Sequence, residues 1–511
     1  MRVLYVASEA FPLAKTGGLA DVSAALPAAL RELDIDVQLL LPGYPQAIER
    51  APNPKLAAHF DDILGCGETR LLASHLPGTK VPLWLVDCPG LYGRAGGLYQ
   101  DELGNNWPDN GLRFALLNHV AVMIASGKID ARWRPDVVHL HDWHAGLVPL
   151  LLSKAPVPQP ATVLTVHNLG YQGLFGLEEL PRLGLPDRPD IYPAIEFHGQ
   201  LSFLKAGLTY ADAVTTVSPT YAREILTPEF GSGLDGLLRE RAGRVKGIMN
   251  GADYHIWDPG SDPYLSHPYT QRERSPKRAC KIAIQEEMEL EALAEAPLVV
   301  FASRLAHQKM PDVVLEALPA LLTEGMQFAL VAQGDAGFEA RFRELAAAYP
   351  GQVSVHIGYD ERLAHRLLAG ADILLHPSRY EPCGLATIYA MRYGVLPLAR
   401  RVGGTADSVV DATLDNIQAG TATGFLFDEP SADHLIACMM RALSLYRQPI
   451  TWRRLQSNAM RQDFGWERSA RAYVDLYRDV TPGAPKPETE PTEMAGESNC
   501  SNSNRIELVA G

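Results

Sequence analysis

The sequence predicts an α/β protein with two Rossmann-like domains, whose parallel sheets face each other across a cleft. Short apolar runs typical of buried strands alternate with helical patterns almost throughout, and such alternation favours parallel sheets covered by helices. At 511 residues the chain exceeds the size of one ordinary hydrophobic core, so we expect more than one domain. The strand-like runs also fall into two series, which a Pro-, Gly- and Ser-rich stretch separates.

The two series of strand candidates predict the domain limits. The first series comprises 2–8, 36–41, 135–141, 161–167, 212–217 and 244–249, and the second comprises 297–303, 327–333, 352–356, 372–376 and 395–400. The predicted parts are an N-terminal domain (1–257), a linker (258–278), a C-terminal domain (279–460), a helix that ends before Pro482 (within 461–480) and a tail (481–511). The tail is rich in Pro, Glu, Ser and Asn and has little to bury, so it is predicted to be disordered.

Composition indicates a globular protein of the cytoplasm. The formal net charge of −14 argues against a nucleic-acid partner, because phosphate backbones select basic surfaces. Six scattered cysteines without a C-x-x-C pair predict neither a zinc framework nor a disulfide scaffold. The first strand begins at Arg2, which leaves no room for a signal peptide, and no apolar run approaches the ~20 residues of a membrane span.

The segment 376–385, His-Pro-Ser-Arg-Tyr-Glu-Pro-Cys-Gly-Leu, carries the most chemical information. It joins a predicted buried strand to a predicted helix, and ligands of open α/β sheets bind at that edge. Gly384 lets a ligand approach the backbone, and the N–H groups of a helix start suit phosphate oxygens. The carboxylate of Glu381 beside such a site suggests a reaction that develops positive charge near a leaving phosphate, such as sugar transfer from a nucleotide sugar.

A second turn, Lys15-Thr16-Gly17-Gly18, follows the first strand and leads into a helical pattern. A glycine pair beside a lysine can cradle an anion at such a turn. The same residues also fit an ordinary tight turn with a surface lysine, and the segment is neither a Walker loop nor a full G-x-G-x-x-G. From the turn alone, both interpretations stay open.

Histidines and an aspartate cluster at the ends of two strands of the first series. His139, His141, Asp142 and His144 could suggest a metal, but ligands this close in sequence rarely all converge at ~2.0–2.2 Å. A polar cluster at a substrate cleft is therefore favoured, with no metal, although His139 inside the strand also fits a structural role. His167 closes the next strand at the same sheet edge as Asp142.

Cations and aromatic residues complete the candidate set. Arg304 and Lys309 follow the first strand of the second domain and suit a diphosphate, although solvated surface charge is the alternative. Tyr359 could stack on a base or simply pack its loop. Loop 97–113 mixes aromatic, amide and acidic side chains, which suits a glucan or a loop that satisfies its own polar groups.

Together these segments resemble the bacterial glycogen synthases and plant starch synthases, retaining glycosyltransferases of the two-Rossmann (GT-B) type. The resemblance covers roughly residues 1 to 480 and is carried by motifs in the family's order: 15–22, 141–144, 167–168, 199–200 with 205–207, 216–221, 250–251, 304 with 308–309, 334–335 and 381–385. It implies transfer of glucose from ADP-glucose to the non-reducing end of an α-1,4-glucan such as glycogen, with retention and with no cofactor or metal. It also implies that the last helix crosses back to the N-terminal domain.

The resemblance also implies roles for individual residues. The catalytic group would be Glu381, His167, Asp142, Lys309 and Arg304. The donor-binding group would be Lys15, Gly17, Gly18, Asn250, Arg304, Lys309, Tyr359, Cys383, Gly384, Leu385 and Thr387. The acceptor-binding group would be Tyr99, Asn106, Asp142 and Trp143.

Some residues depart from the family pattern. Met310 stands where the family usually has glycine, and Ala386-Thr387 replaces the usual Thr-Gln. Ala252 and Gly170 are further departures. Met310 and Thr387 bear on donor preference and rate, so the alternatives are a transferase using UDP-glucose or another acceptor, and a catalytically quiet glucan-binding paralogue. A phosphorylase is disfavoured by the chain's length.

Overall fold

The computed structural model describes residues 1–154, 159–186, 190–358 and 360–481, which form two large sheets, one in each half of the chain. The strands of the first half are β1 (Arg2–Val6), β2 (Asp36–Pro42), β3 (Lys55–Phe60), β4 (Thr69–His75), β5 (Pro82–Asp87), β6 (Val137–His141), β7 (Ala161–Val166), β8 (Leu174–Gly176), β9 (Glu196–Phe197), β10 (Gln200–Ser202), β11 (Ala213–Thr216) and β12 (Val245–Gly247). Nine of them form one sheet in the order β12-β11-β7-β6-β1-β2-β5-β4-β3, and β8-β10-β9 form a small separate sheet.

The second half forms a six-stranded sheet in which every neighbouring pair is parallel. Its strands are β13 (Leu298–Leu305), β14 (Gln327–Gly334), β15 (Val353–Ile357), β16 (Ile373–His376), β17 (Leu396–Arg400) and β18 (Phe425–Phe427). Their order, β15-β14-β13-β16-β17-β18, reverses direction at β13, and ligands of such sheets bind beside the switch point.

Helices connect these strands in both halves. In the first half they are α1 (Gly18–Glu32), α2 (Pro45–Arg50), α3 (Pro89–Tyr92), α4 (Asn110–Ala125), α5 (Val148–Ser153), α6 (Tyr192–Ile195), α7 (Phe203–Tyr210), α8 (Pro219–Glu224) and α9 (Asp235–Glu240). In the second half they are α10 (Lys277–Glu287), α11 (Pro311–Leu322), α12 (Ala336–Ala348), α13 (Glu361–Gly370), α14 (Leu385–Arg392), α15 (Gly403–Ser408), α16 (Leu414–Ala419), α17 (Ala432–Tyr446), α18 (Pro449–Met460) and α19 (Trp466–Val480). Within the described ranges, no helix combines the length and apolar character that crossing a membrane requires.

The predicted fold class is confirmed, and every strand candidate overlaps an observed strand. The N-terminal sheet differs in one respect, because β3-β4-β5 add an antiparallel edge to its parallel centre. β3 is mostly exposed and β4 alternates irregularly, so neither carries the apolar run that identified the central strands. The three-residue strand β18 is too short to give a signal.

Helix α19 returns to the N-terminal sheet, as predicted. Its residues Trp466, Tyr473 and Tyr477 are buried in the N-terminal hydrophobic core. The Tyr477 hydroxyl lies 2.7 Å from Nδ1 of His139 in β6, although the two residues are far apart in sequence. The chain therefore closes the core of its first half with its last described helix. The predicted disorder of 481–511 concerns residues that, beyond 481, lie outside the described ranges.

Candidate active site

The carboxyl ends of the strands in the two sheets face each other and form a cleft. Asn168, after β7, donates from Nδ2 to the side-chain oxygen of Gln308, after β13, at 3.5 Å. Arg304 at the end of β13 donates to the Tyr171 hydroxyl at 3.1 Å. These contacts bring the segments identified in the sequence to one place.

Glu381 lies buried in this cleft with three donors around one carboxylate oxygen. Its Oε2 accepts hydrogen bonds from the Lys309 ammonium, from Nε2 of His376 at 2.9 Å and from the Ser378 hydroxyl at 2.7 Å. Lys309 reaches Glu381 from a short helical turn after β13, so residues 72 positions apart form the pair. Only 6% of Glu381 is exposed, which shields these interactions from water.

The environment keeps Glu381 ionised. Burial alone would raise its pKa, but the charge of Lys309 and the interaction with His376 hold that pKa well below its usual range. A carboxyl that stays deprotonated at neutral pH cannot serve as a proton donor. It can stabilise positive charge that develops on a neighbouring sugar.

Two glycine turns, one from each domain, meet beside Glu381. Gly384 has a φ of +76°, a conformation that suits glycine, and α14 begins at the next residue, Leu385. A Cβ atom on Gly18 would lie 3.0 Å from a methyl group of Leu385. The two segments predicted to hold a diphosphate are therefore neighbours. Thr387 is buried, and its hydroxyl donates to the carbonyl of Gly384 at 2.7 Å.

Met310, which stands where the family usually has glycine, has an unusual backbone conformation and a buried side chain. Its backbone is left-handed, with φ of 53° and ψ of 42°, at the junction of the Lys309 turn and α11. Glycine adopts this conformation without steric cost, whereas other residues meet a Cβ clash of roughly 1–2 kcal/mol. The Met310 side chain is 0% exposed and belongs to the C-terminal hydrophobic core. It therefore packs into the core and away from the cleft.

Asp142 has a strained backbone and a perturbed pKa. Its φ of 56° and ψ of −170° lie in a region that is essentially restricted to glycine, and such strain clusters at functional sites. Its Oδ1 accepts hydrogen bonds from the backbone N–H groups of His167 at 2.7 Å and Asn168 at 3.4 Å. Burial raises the pKa of Asp142 to about 7, and these hydrogen bonds only partly oppose the shift.

The histidines around Asp142 form a neutral cluster. Nδ1 of His141 lies 2.9 Å from Nε2 of His167, and Nε2 of His139 lies 2.7 Å from the Thr165 hydroxyl. Burial lowers the pKa of His139, His144 and His167 to about 3, so all three are uncharged at neutral pH. In the described part of the chain, no group of three or more His, Cys, Asp or Glu side chains is arranged to hold a metal ion. Metal independence itself stays a prediction.

Lys15 extends from the N-terminal domain toward the C-terminal domain. Its ammonium contacts Asp21 at 2.9 Å and Glu361, the first residue of α13, at 3.1 Å. Burial alone would lower the pKa of Lys15, but the two carboxylates raise it above its usual value. Lys15 is therefore charged and oriented across the cleft.

The three acceptor candidates apart from Asp142 lie in different surroundings. The Tyr99 ring stacks on the His144 ring with 4.9 Å between ring centroids, and the Tyr99 hydroxyl lies 2.8 Å from the Ser8 hydroxyl. Trp143 is 9% exposed, and a Cβ atom on Gly173 would lie 2.3 Å from its ring, so it is packed inside the domain. Asn106 is exposed and accepts a hydrogen bond from Gln100.

Loop 97–113 uses many of its polar groups on itself. The Trp107 indole donates to the carbonyl of Gly97, and Asn110 donates to the carbonyl of Tyr99. Arg113 is 2% exposed and donates to the carbonyl of Leu98. These bonds match the self-satisfied loop that the sequence left open as an alternative, and they hold Tyr99 in place.

Asn250 and Cys383 come together from opposite domains. Asn250 is 3% exposed and lies near the Cys383 thiol, and burial raises the pKa of that thiol to about 12. A thiol with that pKa stays protonated, so Cys383 is not a nucleophile. Tyr359, the predicted partner of a base, lies outside the described residues.

Several residues at the site were not singled out from the sequence. His376 and Ser378 lie in the same segment as Glu381, where their spacing of five and three residues could have suggested them. Glu361 and Asp21 bind Lys15 but look like ordinary acidic residues near helix starts. Buried Glu9 accepts two hydrogen bonds from Thr16, and burial raises its pKa to about 7. No pattern marks it in the sequence.

Comparison with known proteins agrees with this geometry. Residues 2–240 match the family model for the starch synthase catalytic domain, and residues 284–461 match the model for glycosyl transferases group 1. The chain is 52% identical over 482 residues to a glycogen synthase of Burkholderia thailandensis, covering 94% of this chain and 90% of that protein. It is 49% identical over 483 residues to a glycogen synthase of Paramagnetospirillum magneticum, covering 94% and 98% of the two chains.

Two solved structures share the fold of this chain. The catalytic domain of starch synthase IV from Arabidopsis thaliana, bound to ADP and acarbose, is similar with a TM-score of 0.85 and 29% identity, covering 94% of this chain and 99% of that one. A sucrose-phosphate synthase from Thermosynechococcus elongatus shares the fold, with a TM-score of 0.58 at 18% identity over 94% and 98% of the two chains.

The fold, the cleft and these matches define a glycosyltransferase of the two-Rossmann, or GT-B, type. Sequence identity of about half, extending over nearly the whole chain, identifies the family within this class. The chain belongs to the family of bacterial glycogen synthases and starch synthases.

Proposed function

We propose that this chain transfers glucose from ADP-glucose to the non-reducing end of an α-1,4-glucan, with retention of configuration. The family membership supports this activity, and a related starch synthase has been solved with ADP and acarbose bound. The observation that carries the proposal is the buried, ionised Glu381, which lies beside Lys309 and next to the two glycine turns.

The donor's diphosphate would bind where cations from both domains converge. We assign it to Arg304 and Lys309 of the C-terminal domain, to Lys15 of the N-terminal domain, and to backbone N–H groups of Gly18, Gly384 and Leu385. Anions are stabilised by such N–H groups and by desolvated cations. Tyr359 would stack on the adenine, and Asn250 would contact the transferred glucose.

The reaction would proceed on one face of the sugar. As the bond to the diphosphate breaks, the developing positive charge at the anomeric carbon would be stabilised by the Glu381 carboxylate. The leaving phosphate oxygen would take the proton of the acceptor hydroxyl, which the carbonyl of His167 and the Asp142 carboxylate would orient. No covalent intermediate with the protein is required, and Tyr99 would contact the glucan.

Incorporation of labelled glucose into glycogen tests this proposal, with ADP-glucose and UDP-glucose supplied in parallel. We expect incorporation chiefly from ADP-glucose. An exo-acting glucosidase specific for α-1,4 linkages should release the incorporated label, because the new glucose is α-1,4-linked at the non-reducing end. Preference for UDP-glucose would contradict the donor assignment. Failure with both donors, together with retained glucan binding, would favour the catalytically quiet paralogue.

We further propose that the N-terminal domain ends at residue 257, that a linker spans 258–278 and that the C-terminal domain spans 279–460. We also propose that the protein acts in the cytoplasm. Two separate hydrophobic cores support a division into two domains. The C-terminal core also takes in Trp257 and, from the proposed linker, Leu265 and Tyr269. The cysteines of the described residues are free thiols, which suits a reducing compartment. Limited proteolysis that releases fragments cut within 258–278 would support the predicted linker.

A further inference from the structure

Helix α8 is bonded to the catalytic segment of its own domain. The Tyr221 hydroxyl accepts a hydrogen bond at 3.2 Å from the backbone N–H of Leu169, the second residue after His167. Tyr221 is 1% exposed, so water does not compete for this bond. The position of α8 is therefore coupled to the segment that carries His167 and Asn168.

The same helix exchanges hydrogen bonds with α15 across the cleft. Glu224, the last residue of α8, accepts from the backbone N–H of Gly403 at 2.9 and 3.1 Å to its two oxygens. Asp407 of α15 accepts from the backbone N–H and hydroxyl of Thr220, at 2.7 and 2.6 Å. Each helix thus supplies a carboxylate to the backbone of the other.

Helix α15 in turn contacts the loop that carries Glu381. The backbone N–H of Gly404 donates to the carbonyl of Glu381 at 2.9 Å. A Cβ atom on Gly403 would lie 2.0 Å from the Glu381 carbonyl oxygen, and one on Gly404 would lie 2.0 Å from that of Cys383. No side chain fits at either position, so the start of α15 and the Glu381 loop must move together.

We propose that Glu224 is a positioning residue for the transfer reaction, holding the Glu381 loop of one domain in register with the His167 segment of the other. The inference rests on the proposed function and assigns to it a residue outside the cleft's reacting groups. Its physical basis is a continuous series of bonds: Leu169 to Tyr221, Glu224 to Gly403, and Gly404 to Glu381. A carboxylate accepting a backbone N–H is about twice as strong an acceptor as a neutral group.

The variants Glu224→Ala and Glu224→Gln test the proposal, with kcat, donor KM and the dissociation constant of ADP measured for each. For Glu224→Ala we expect kcat to fall about ten- to hundredfold, the equivalent of one charge-assisted hydrogen bond, while ADP affinity stays within about threefold. Glu224→Gln keeps an oxygen that can accept from Gly403 and should recover most of the rate. Glu467→Ala, which removes an exposed ion pair with Arg471 on α19, is the matched control and should leave kcat unchanged.

Amide hydrogen exchange over residues 378–388 provides a measurement that needs no turnover. Faster exchange there in Glu224→Ala than in Glu467→Ala supports the coupling. If the natural chain fails to transfer glucose but this exchange difference is present, the proposed function is wrong and the coupling stands. Unchanged exchange in Glu224→Ala overturns the proposal. A normal kcat per folded molecule of Glu224→Ala, with only a lower midpoint of thermal unfolding, overturns it as well.

Discussion

Met310 gives a prediction in which two effects of opposite sign can be separated. Its left-handed backbone costs roughly 1–2 kcal/mol relative to glycine. Its fully buried side chain contributes more, since truncating a buried methionine to alanine typically costs about 2–5 kcal/mol. Met310→Gly should therefore lower the free energy of unfolding by about 1–3 kcal/mol, because it removes the packing but also the strain.

Comparison with Met310→Ala isolates the strain. The alanine variant loses the same packing and keeps the left-handed Cβ, so it should be less stable than the glycine variant by about 1–2 kcal/mol. Denaturant unfolding measures both, with Ala340→Gly on the exposed face of α12 as a control in which glycine should instead cost ~1 kcal/mol. If Met310→Ala is as stable as Met310→Gly, the backbone at this position is not strained and the reasoning is refuted.

Four further outcomes are expected at the site. Glu381→Gln should lower kcat by roughly 10²–10³-fold with little change in donor affinity, because a preorganised charge acts mainly in the transition state. Near-normal turnover of the folded variant would contradict the catalytic role of Glu381. Arg304→Ala and Lys309→Ala should each weaken ADP binding in calorimetry by about 1.5–3 kcal/mol, so unchanged affinity in both would remove the diphosphate assignment. Because burial raises the pKa of Asp142 from 3.8 to about 7, its contribution to stability is fully present below pH 3.8 and is lost as the pH rises through about 7. The unfolding free energy of the natural chain relative to Asp142→Asn should therefore fall over that interval, and a constant difference would disprove the shift. EDTA should leave glucose transfer unchanged, whereas loss of activity that one divalent metal restores would reverse the prediction of a metal-free site.

The central strands could be predicted because burial on both faces gives them continuous apolar runs. β6 and β16 are buried at every position. Asp142 follows β6 directly and Glu381 lies in the turn after β16, which is why both were recognisable. The antiparallel edge carries no such signal, because β3 and β4 lack continuous apolar runs and are defined by pairing, β3 with β4 and β4 with β5.

The side-chain partners of the site could be predicted only in part. Lys309 was assigned to a phosphate, but its pairing with Glu381 depends on how two distant segments pack. The packing of Trp143 against Gly173 and the orientation of Met310 into the core are equally tertiary effects. Local sequence shows which chemistry is available, whereas the direction in which each side chain points is decided by contacts made elsewhere.

The return of α19 to β6 also has a consequence for biosynthesis. A ribosome completes β1 to β12 long before it reaches Trp466, so the nascent N-terminal half emerges without the aromatic residues that cover one part of its core. The C-terminal half between them can close its own core first. Newly made chains should therefore present an unfilled apolar surface around His139 until translation passes Tyr477, and that interval is when a chaperone would bind.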